Sequence, residues 1–380
     1  MRGPRRVAFG RARGVARLAL TLSLLLSSLL LSQGASAAAN DGSPAAWPSR
    51  PAGPYIATGA VDLVPGGADP DWSSQNKIIF QRPDAFGITQ VLTVNPDGSD
   101  LRQLKSPSLY RHKFNPSWYP DGNWFAVQVE RPNKLMTLDS YSQWSNILLN
   151  GLWCDLWVAK ADGSEWYQLT DTTLRTDGVL FPIFSPDGSK LLWSRIIKPA
   201  NPLHPWGVYR LMIGDFSFVN GIPQLSNVQD ITPNGIEFIE PGQFSPDGRS
   251  VVVSSDVGAT PNNRMNVLEI DLATDTYVDL TKDSDLVWHE HPSYTPDGQH
   301  IIYMSGIPWH PLSADLVMIN RDGSGWTQLT HFNDPGYAEY AREAVDAFHA
   351  RYSPDGKRLA LTVQSVPNYP ARDLWVLTFP

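Results

Sequence analysis

The chain contains one cysteine, Cys154. That excludes an internal disulfide and any cysteine-based metal cluster, so stability in an oxidising compartment must come from packing and topology. Cys154 lies in the strand-like run Leu152-Trp153-Cys154-Asp155-Leu156-Trp157 and reads as a buried, inert thiol. Long apolar runs are equally scarce. The longest, Leu18–Leu31, falls short of the roughly 20 residues that cross a bilayer, so no integral membrane span is expected in the mature chain. Surplus positive charge is missing too. A net charge of −8 argues against nucleic acid or an anionic membrane as the main partner. No Gly-x-Ser-x-Gly elbow, phosphate loop, dinucleotide fingerprint or His-Glu-x-x-His is present, which removes the corresponding enzyme classes.

What is present begins with a leader. Arg2, Arg5, Arg6, Arg11, Arg13 and Arg17 precede the apolar run, and Ala35-Ser36-Ala37 follows it, which reads as a signal peptide over 1–37. Export to the periplasm or the extracellular space is expected, by a general or a twin-arginine route. A retained signal-anchor is the alternative. Residues 38–58, rich in Ala, Pro, Gly and Ser, read as a flexible lead-in.

From residue 59 onward the dominant signal is self-similarity. An aromatic residue, a small or polar residue and Pro-Asp-Gly recur at Trp118–Gly122, Phe184–Gly188, Phe244–Gly248, Tyr294–Gly298 and Tyr352–Gly356. Each copy is followed by a β-rich run such as Leu191-Leu192-Trp193-Ser194, so each marks a hairpin. Pro presets the first turn position and Gly takes the left-handed one. A second hairpin follows, carried by Asp162-Gly163-Ser164, Asp322-Gly323-Ser324 or Asp97-Gly98-Ser99. Four strands per unit is a propeller blade. In the first unit Trp72-Ser73-Ser74-Gln75-Asn76 replaces the Pro-Asp-Gly turn, making six units in all. The last unit ends at Asp373–Leu377 one strand short, and Ala60–Val64 supplies the missing strand, closing a ring without exposed edges.

These repeats resemble those of TolB-type periplasmic propellers over residues 59–378. The resemblance implies an all-β, six-bladed β-propeller over 59–380, closed by the N-terminal strand, and expected to be monomeric. It says little about function, since related propellers serve as scaffolds, receptors, peptidase gates and polysaccharide lyases. The α/β domain that precedes the TolB propeller is not expected in this chain.

Strand order puts the Pro-Asp-Gly and Asp-Gly-Ser turns on one face and the longer connections on the other: 130–152, 195–207, 256–264, 305–314, 364–371 and an insert over 331–349. Extra sequence on one end of a rigid ring is the usual place for binding. Of eight histidines only His300 belongs to the turn face. His204-Pro205-Trp206, Trp309-His310-Pro311, Trp144 and Tyr369 lie on the long-loop face and are candidate substrate-binding residues. In the innermost strands, the position three before the aromatic residue holds Asp69, Asn115, Phe181, Pro241, His291 and His349, and is expected to face the channel. Strand alternation would put His289 and His291 on one face. Together with Glu290 and His349 they suit a divalent metal such as Mn, Zn or Ca, or acid–base chemistry. Residues 336–348 have helical composition and could form a lid.

Two functions fit. In one, the protein binds a polysaccharide, a peptide or an envelope protein on its long-loop face. In the other it is a polysaccharide lyase, favoured over a hydrolase. His291 and His349 would then hold a metal or act as base, Arg111 would neutralise a uronate carboxylate and Tyr110 would return the proton.

Overall fold

The computed structural model describes residues 55–380 apart from 110, 133–149, 173–176, 202–203, 205, 258–264, 283, 285–287, 308–309 and 370. The expected signal peptide and most of the lead-in lie outside the described residues, as do Tyr110, Trp144 and Trp309.

The described residues form strands and turns only. Strand β1 (Gly59–Pro65) precedes a first group of β2 (Ala68–Trp72), β3 (Ile78–Pro83), β4 (Thr89–Val94) and β5 (Arg102–Gln103). The next groups are β6 (Lys113–Trp118), β7 (Trp124–Glu130), β8 (Cys154–Lys160) and β9 (Trp166–Gln168), then β10 (Gly178–Phe184), β11 (Lys190–Lys198), β12 (Val208–Val219) and β13 (Ile222–Asp230). Strands β14 (Ile239–Phe244), β15 (Ser250–Ser255), β16 (Asn266–Asp271) and β17 (Thr276–Asp279) follow. The remainder are β18 (His289–Tyr294), β19 (His300–Ile307), β20 (His310–Asn320), β21 (Thr327–Gln328), β22 (Val345–Tyr352), β23 (Arg358–Ser365) and β24 (Arg372–Thr378).

Strands β2 to β17 pair as four antiparallel sheets of four. The remaining eight strands make two such units, β18-β19-β20-β21 and β22-β23-β24-β1, joined by the parallel pair Ala314 and Asp346. The N-terminal strand therefore pairs with the C-terminal one, from Gly59 against Thr378 to Pro65 against Asp373. The first strand of each unit touches that of the next: β2 meets β6, β6 meets β10, β10 meets β14, β14 meets β18, β18 meets β22, and β22 meets β2.

The repeated turn has a local cause. Ser185 Oγ donates to Asp187 Oδ1 (2.6 Å) and accepts from the Lys190 amide (2.9 Å), while Gly188 takes a φ of 72° that L side chains rarely adopt. Those hydrogen bonds, led by the Ser185 hydroxyl, hold the Asp187 carboxyl below its usual range. The first unit reaches the same shape with Asn76 at φ 59°. Between sheets the contact is apolar: Trp72, Ile78, Phe80 and Leu92 of the first sheet pack with Ala360, Leu374 and Val376 of the last. Each of the larger aliphatic and Phe side chains contributes about 1.5–3 kcal/mol. Cys154 is buried in the core, as expected.

Two expectations fail here. Residues 336–344 form turns and bends, and 345–348 open strand β22, so the insert is not helical. Its ends are tied by polar side chains instead: the Val345 amide donates to Asn333 Oδ1 (3.0 Å), and the His331 amide to the buried Glu339 (3.0 Å). The long loop expected at 305–314 is also mostly strand, with Ile307 pairing His310.

Candidate functional site

Each innermost strand carries a β-bulge at the same place. Asp69, Asn115, Phe181, His291 and His349 have φ between 49° and 55°. The sheet register shifts beside each of them, and beside Pro241 in β14. A proline follows at 70, 116, 182 and 292. Having no N–H, it leaves no donor stranded where the ladder breaks. Bulges re-aim side chains. Here the bulge positions of all six strands line one cavity of about 40 Å³, into which Arg351 also reaches. That volume holds a few water-sized groups and excludes a sugar ring.

The bulge also overturns the alternation expected for His289 and His291. Glu290 Oε2 lies 3.6 Å from His291 Nε2, so these consecutive residues approach one another. His289 is fully buried, with its ring 5.4 Å from that of Tyr303 and its Nδ1 3.1 Å from Ser305 Oγ.

Around the cavity the polar groups form a connected set. His349 Nδ1 is hydrogen-bonded to Asp69 Oδ1, and Asp69 Oδ2 accepts from Gln81 Nε2. Gln81 Oε1 accepts from the Asn115 amide (2.7 Å), and the Asp69 amide donates to Thr362 Oγ1 (2.8 Å). Burial works to raise Asp69, but the charge and hydrogen bond of His349, with Arg372 nearby, outweigh it and hold the carboxyl below its usual range. Burial lowers His349 despite Asp69. An ionised carboxylate only accepts, so a neutral His349 carries its proton on Nδ1 and leaves the Nε2 lone pair free. That Nε2 is buried without a hydrogen-bond partner.

His291 stands next to it, ring centroids 3.8 Å apart. Its Nδ1 is 3.7 Å from Glu240 Oε2. Burial, with His349 and two arginines adding, lowers His291 well below its ordinary value. Burial, then the charges of Glu290 and Asp69, raises Glu240 well above the carboxylate range. Burial pushes Glu290 up to about 7, with Asp346 adding and the Trp288 hydrogen bond opposing. These groups titrate as a set.

The remaining candidates stand elsewhere. Arg111 Nε donates to the Glu130 carbonyl (2.6 Å), and its guanidinium lies 5.5 Å over Trp157 of β8. The arginines that reach the throat are Arg351 and Arg372, the latter 3.7 Å from Asp69 Oδ2. His204 Nδ1 pairs with Glu237 (2.7 Å). Trp206 packs on Trp288 (5.1 Å), whose Nε1 donates to Glu290 (2.9 Å), so this loop is coupled to the throat. His310 pairs with Asp334 (3.0 Å) at a second cavity of about 320 Å³ that also touches Asn333, Tyr340 and Arg342. Tyr369 is about half exposed. Among the described residues no group of three or more His, Cys, Asp or Glu side chains is placed to hold a metal ion. Two features account for this: His289 turns into the wall, and Asp69 occupies His349 Nδ1.

Asp69 was visible in the strand alignment as a residue, but not as the partner of His349, and Glu240 stands next to Pro241 of that column. Arg351 follows His349 by two residues within the same bulge and could have been found that way. Arg372 and Gln81 belong to other strands and carry no local signal.

No protein-family model matches the chain, and no curated protein matches its sequence. Solved structures do match. TolB from Acinetobacter baumannii is 15% identical with a TM-score of 0.52, over 80% of this chain and 63% of that one. An oligogalacturonate lyase in complex with manganese is 13% identical with a TM-score of 0.52, over 83% and 78%. Hydrazine synthase from Kuenenia stuttgartiensis is 14% identical with a TM-score of 0.52, over 84% and 47%. At such identities the likeness establishes the fold alone. The fold is a TolB-like β-propeller, and the chain spans less than two thirds of the TolB chain it matches. No helix among the described residues is long and apolar enough to cross a membrane.

Proposed function

We propose that this chain is an exported, closed six-bladed propeller that binds a partner on its long-loop face, with a polar tip of that partner entering the throat. The leader over 1–37 supports export. The circuit of contacts among the six innermost strands, and the pairing of β1 with β24, support closure. One observation carries the binding reading. His349 Nε2, Glu240 Oε2 and Asn115 Oδ1 are buried without hydrogen-bond partners, and His349 and Asn115 line the same cavity. Unpaired buried polar atoms are costly, by about 1–3 kcal/mol each, and a ligand that satisfies them recovers that energy. The test is to screen the mature chain against peptide and glycan arrays and repeat any hit with Asn115→Gly, which keeps the left-handed backbone and deletes the acceptor. Binding that survives unchanged contradicts a throat site.

The second reading, a polysaccharide lyase, is favoured by the Asp69–His349 pair. A neutral imidazole held by a carboxylate has the proton arrangement of a general base, and its buried Nε2 would reach a ring proton only if the cavity of about 40 Å³ opened to admit a sugar. Arg372 would neutralise the substrate carboxylate in place of Arg111. Incubation with uronate polysaccharides, followed by ultraviolet absorbance of unsaturated ends with and without chelator, separates the two. Absence of product across a broad panel removes the lyase.

A further inference from the structure

Resting on the reading of the throat as a binding site, we propose that it receives a primary ammonium group on an unbranched alkyl stem, as a lysyl side chain of a peptide or protein partner presents. Three features point to that group. The first is the hydrogen-bond balance. The unspent atoms that line the cavity are acceptors, His349 Nε2 and Asn115 Oδ1, and Glu240 Oε2 is buried close by without a hydrogen-bond partner. Several nearby donors are already engaged. Arg351 gives to the carbonyls of Gly242 (2.8 Å) and Ala350 (3.0 Å), and Arg372 to Gln364 Oε1 (2.9 Å). Trp288 gives to Glu290 and Asn115 Nδ2 to Gln128 Oε1 (2.9 Å). An ammonium brings three donors and no acceptor.

The second is charge. Arg351 and Arg372 are paired with Asp71 and Asp69, while burial holds Glu240 and Glu290 toward their neutral forms, so a cation entering the throat favours ionisation of both glutamates and an anion opposes it. The third is size and wall chemistry. A cavity of about 40 Å³ takes a terminal ammonium and its last methylene but neither a pyranose nor a planar guanidinium. Its walls include five prolines and Phe181, which suit an alkyl stem. An amino sugar bears its nitrogen directly on a ring and cannot reach in.

The probe is n-pentylammonium, titrated into the intact mature chain while the imidazole resonances of selectively labelled histidine and the thermal midpoint are followed. We expect shifts at His349 and His291 but not at His300, and a rise in midpoint. 1-Pentanol should bind at least about tenfold more weakly for want of a charge-assisted hydrogen bond, and n-pentylguanidinium and glucosamine, cations too large for the cavity, should also bind at least about tenfold more weakly. Glu240→Gln and Asn115→Gly should each weaken the ammonium by about tenfold or more. Melting of the unliganded variants confirms that they fold. Equal binding of 1-pentanol, tighter binding of glucosamine, or no response to n-pentylammonium overturns the ammonium assignment. If Asn115→Gly still weakens an array hit that bears no amine, the throat remains a binding site and only its ligand class is lost.

Discussion

Asp69 and His349, 280 residues apart in the chain, are joined by a hydrogen bond between the carboxylate and the imidazole Nδ1. The bond links β2 to β22, and so the beginning of the repeat to its end. It also sets the tautomer that leaves His349 Nε2 facing the throat.

Replacing Asp69 by Asn keeps the shape but removes the charge that raises His349. The His349 pKa should fall further, and stability should drop by about 1–3 kcal/mol as the buried network loses its charge-assisted bonds. Histidine resonances followed against pH, with urea unfolding, check both. An unchanged His349 titration would show that Asp69 does not set its proton.

Gly242 occupies the bulge of β14 where the other units have a side chain. A Cβ there would meet the Pro292 carbonyl oxygen at 2.1 Å and the Val252 carbonyl oxygen at 2.9 Å. Gly242→Ala should therefore cost at least about 2 kcal/mol through forced backbone movement between β14 and β18. Gly306→Ala, where nothing lies within 4 Å, should be close to neutral. Paired denaturant melts decide it, and equal midpoints contradict the argument.

Stability should fall as pH rises from about 6.5 to 8. Burial, with Asp315 adding, pushes Asp346 up to about 7 from 3.8, and Glu290 reaches about 7 from 4.5. Over this range the folded state holds protons that the unfolded chain has already released, so stability is greater on the acid side and is lost as pH climbs through 7. His291 and His349 are lowered from 6.5 and act in the opposite direction, an effect that fades above that value as the unfolded imidazoles lose their protons too. Thermal midpoints at the two pH values, with Asp346→Asn flattening the difference, test this. A midpoint that climbs toward pH 8 contradicts it.

Removing residues through Pro65 takes away β1 and exposes the edge of β24. The truncated chain should melt several degrees lower and self-associate, since an unpaired edge templates further pairing. Size-exclusion chromatography and thermal scanning read the result. A monomer of unchanged stability would remove β1 from the closure of the fold.

Much of this architecture is legible in the chain itself. The Ser-Pro-Asp-Gly hairpins follow from interactions among residues five or fewer apart, such as Ser185 with Asp187 and Lys190, and local chemistry of that kind is written in local sequence. The pairing of β1 with β24 was legible because a missing strand leaves a countable gap. The column Asp69, Asn115, Phe181, Pro241, His291 and His349 could be aligned for the same reason, and it lines the cavity as expected.

What each member of that column does was decided by tertiary structure alone. A left-handed residue at His291 breaks the two-residue period, so His289 turns into the wall against Tyr303 while Glu290 comes to His291. The residues around 336–344 have helical composition, yet buried contacts through Asn333 and Glu339 hold them in turns. Arg372 arrives from a third strand and Gln81 from a second, positions that no spacing within the innermost strands encodes. The repeat pointed to first strands that touch one another in turn. Which charges face one another there depends on bulge geometry and on the neighbouring sheets, because electrostatic partners in a buried throat are chosen by distance through space and not along the chain.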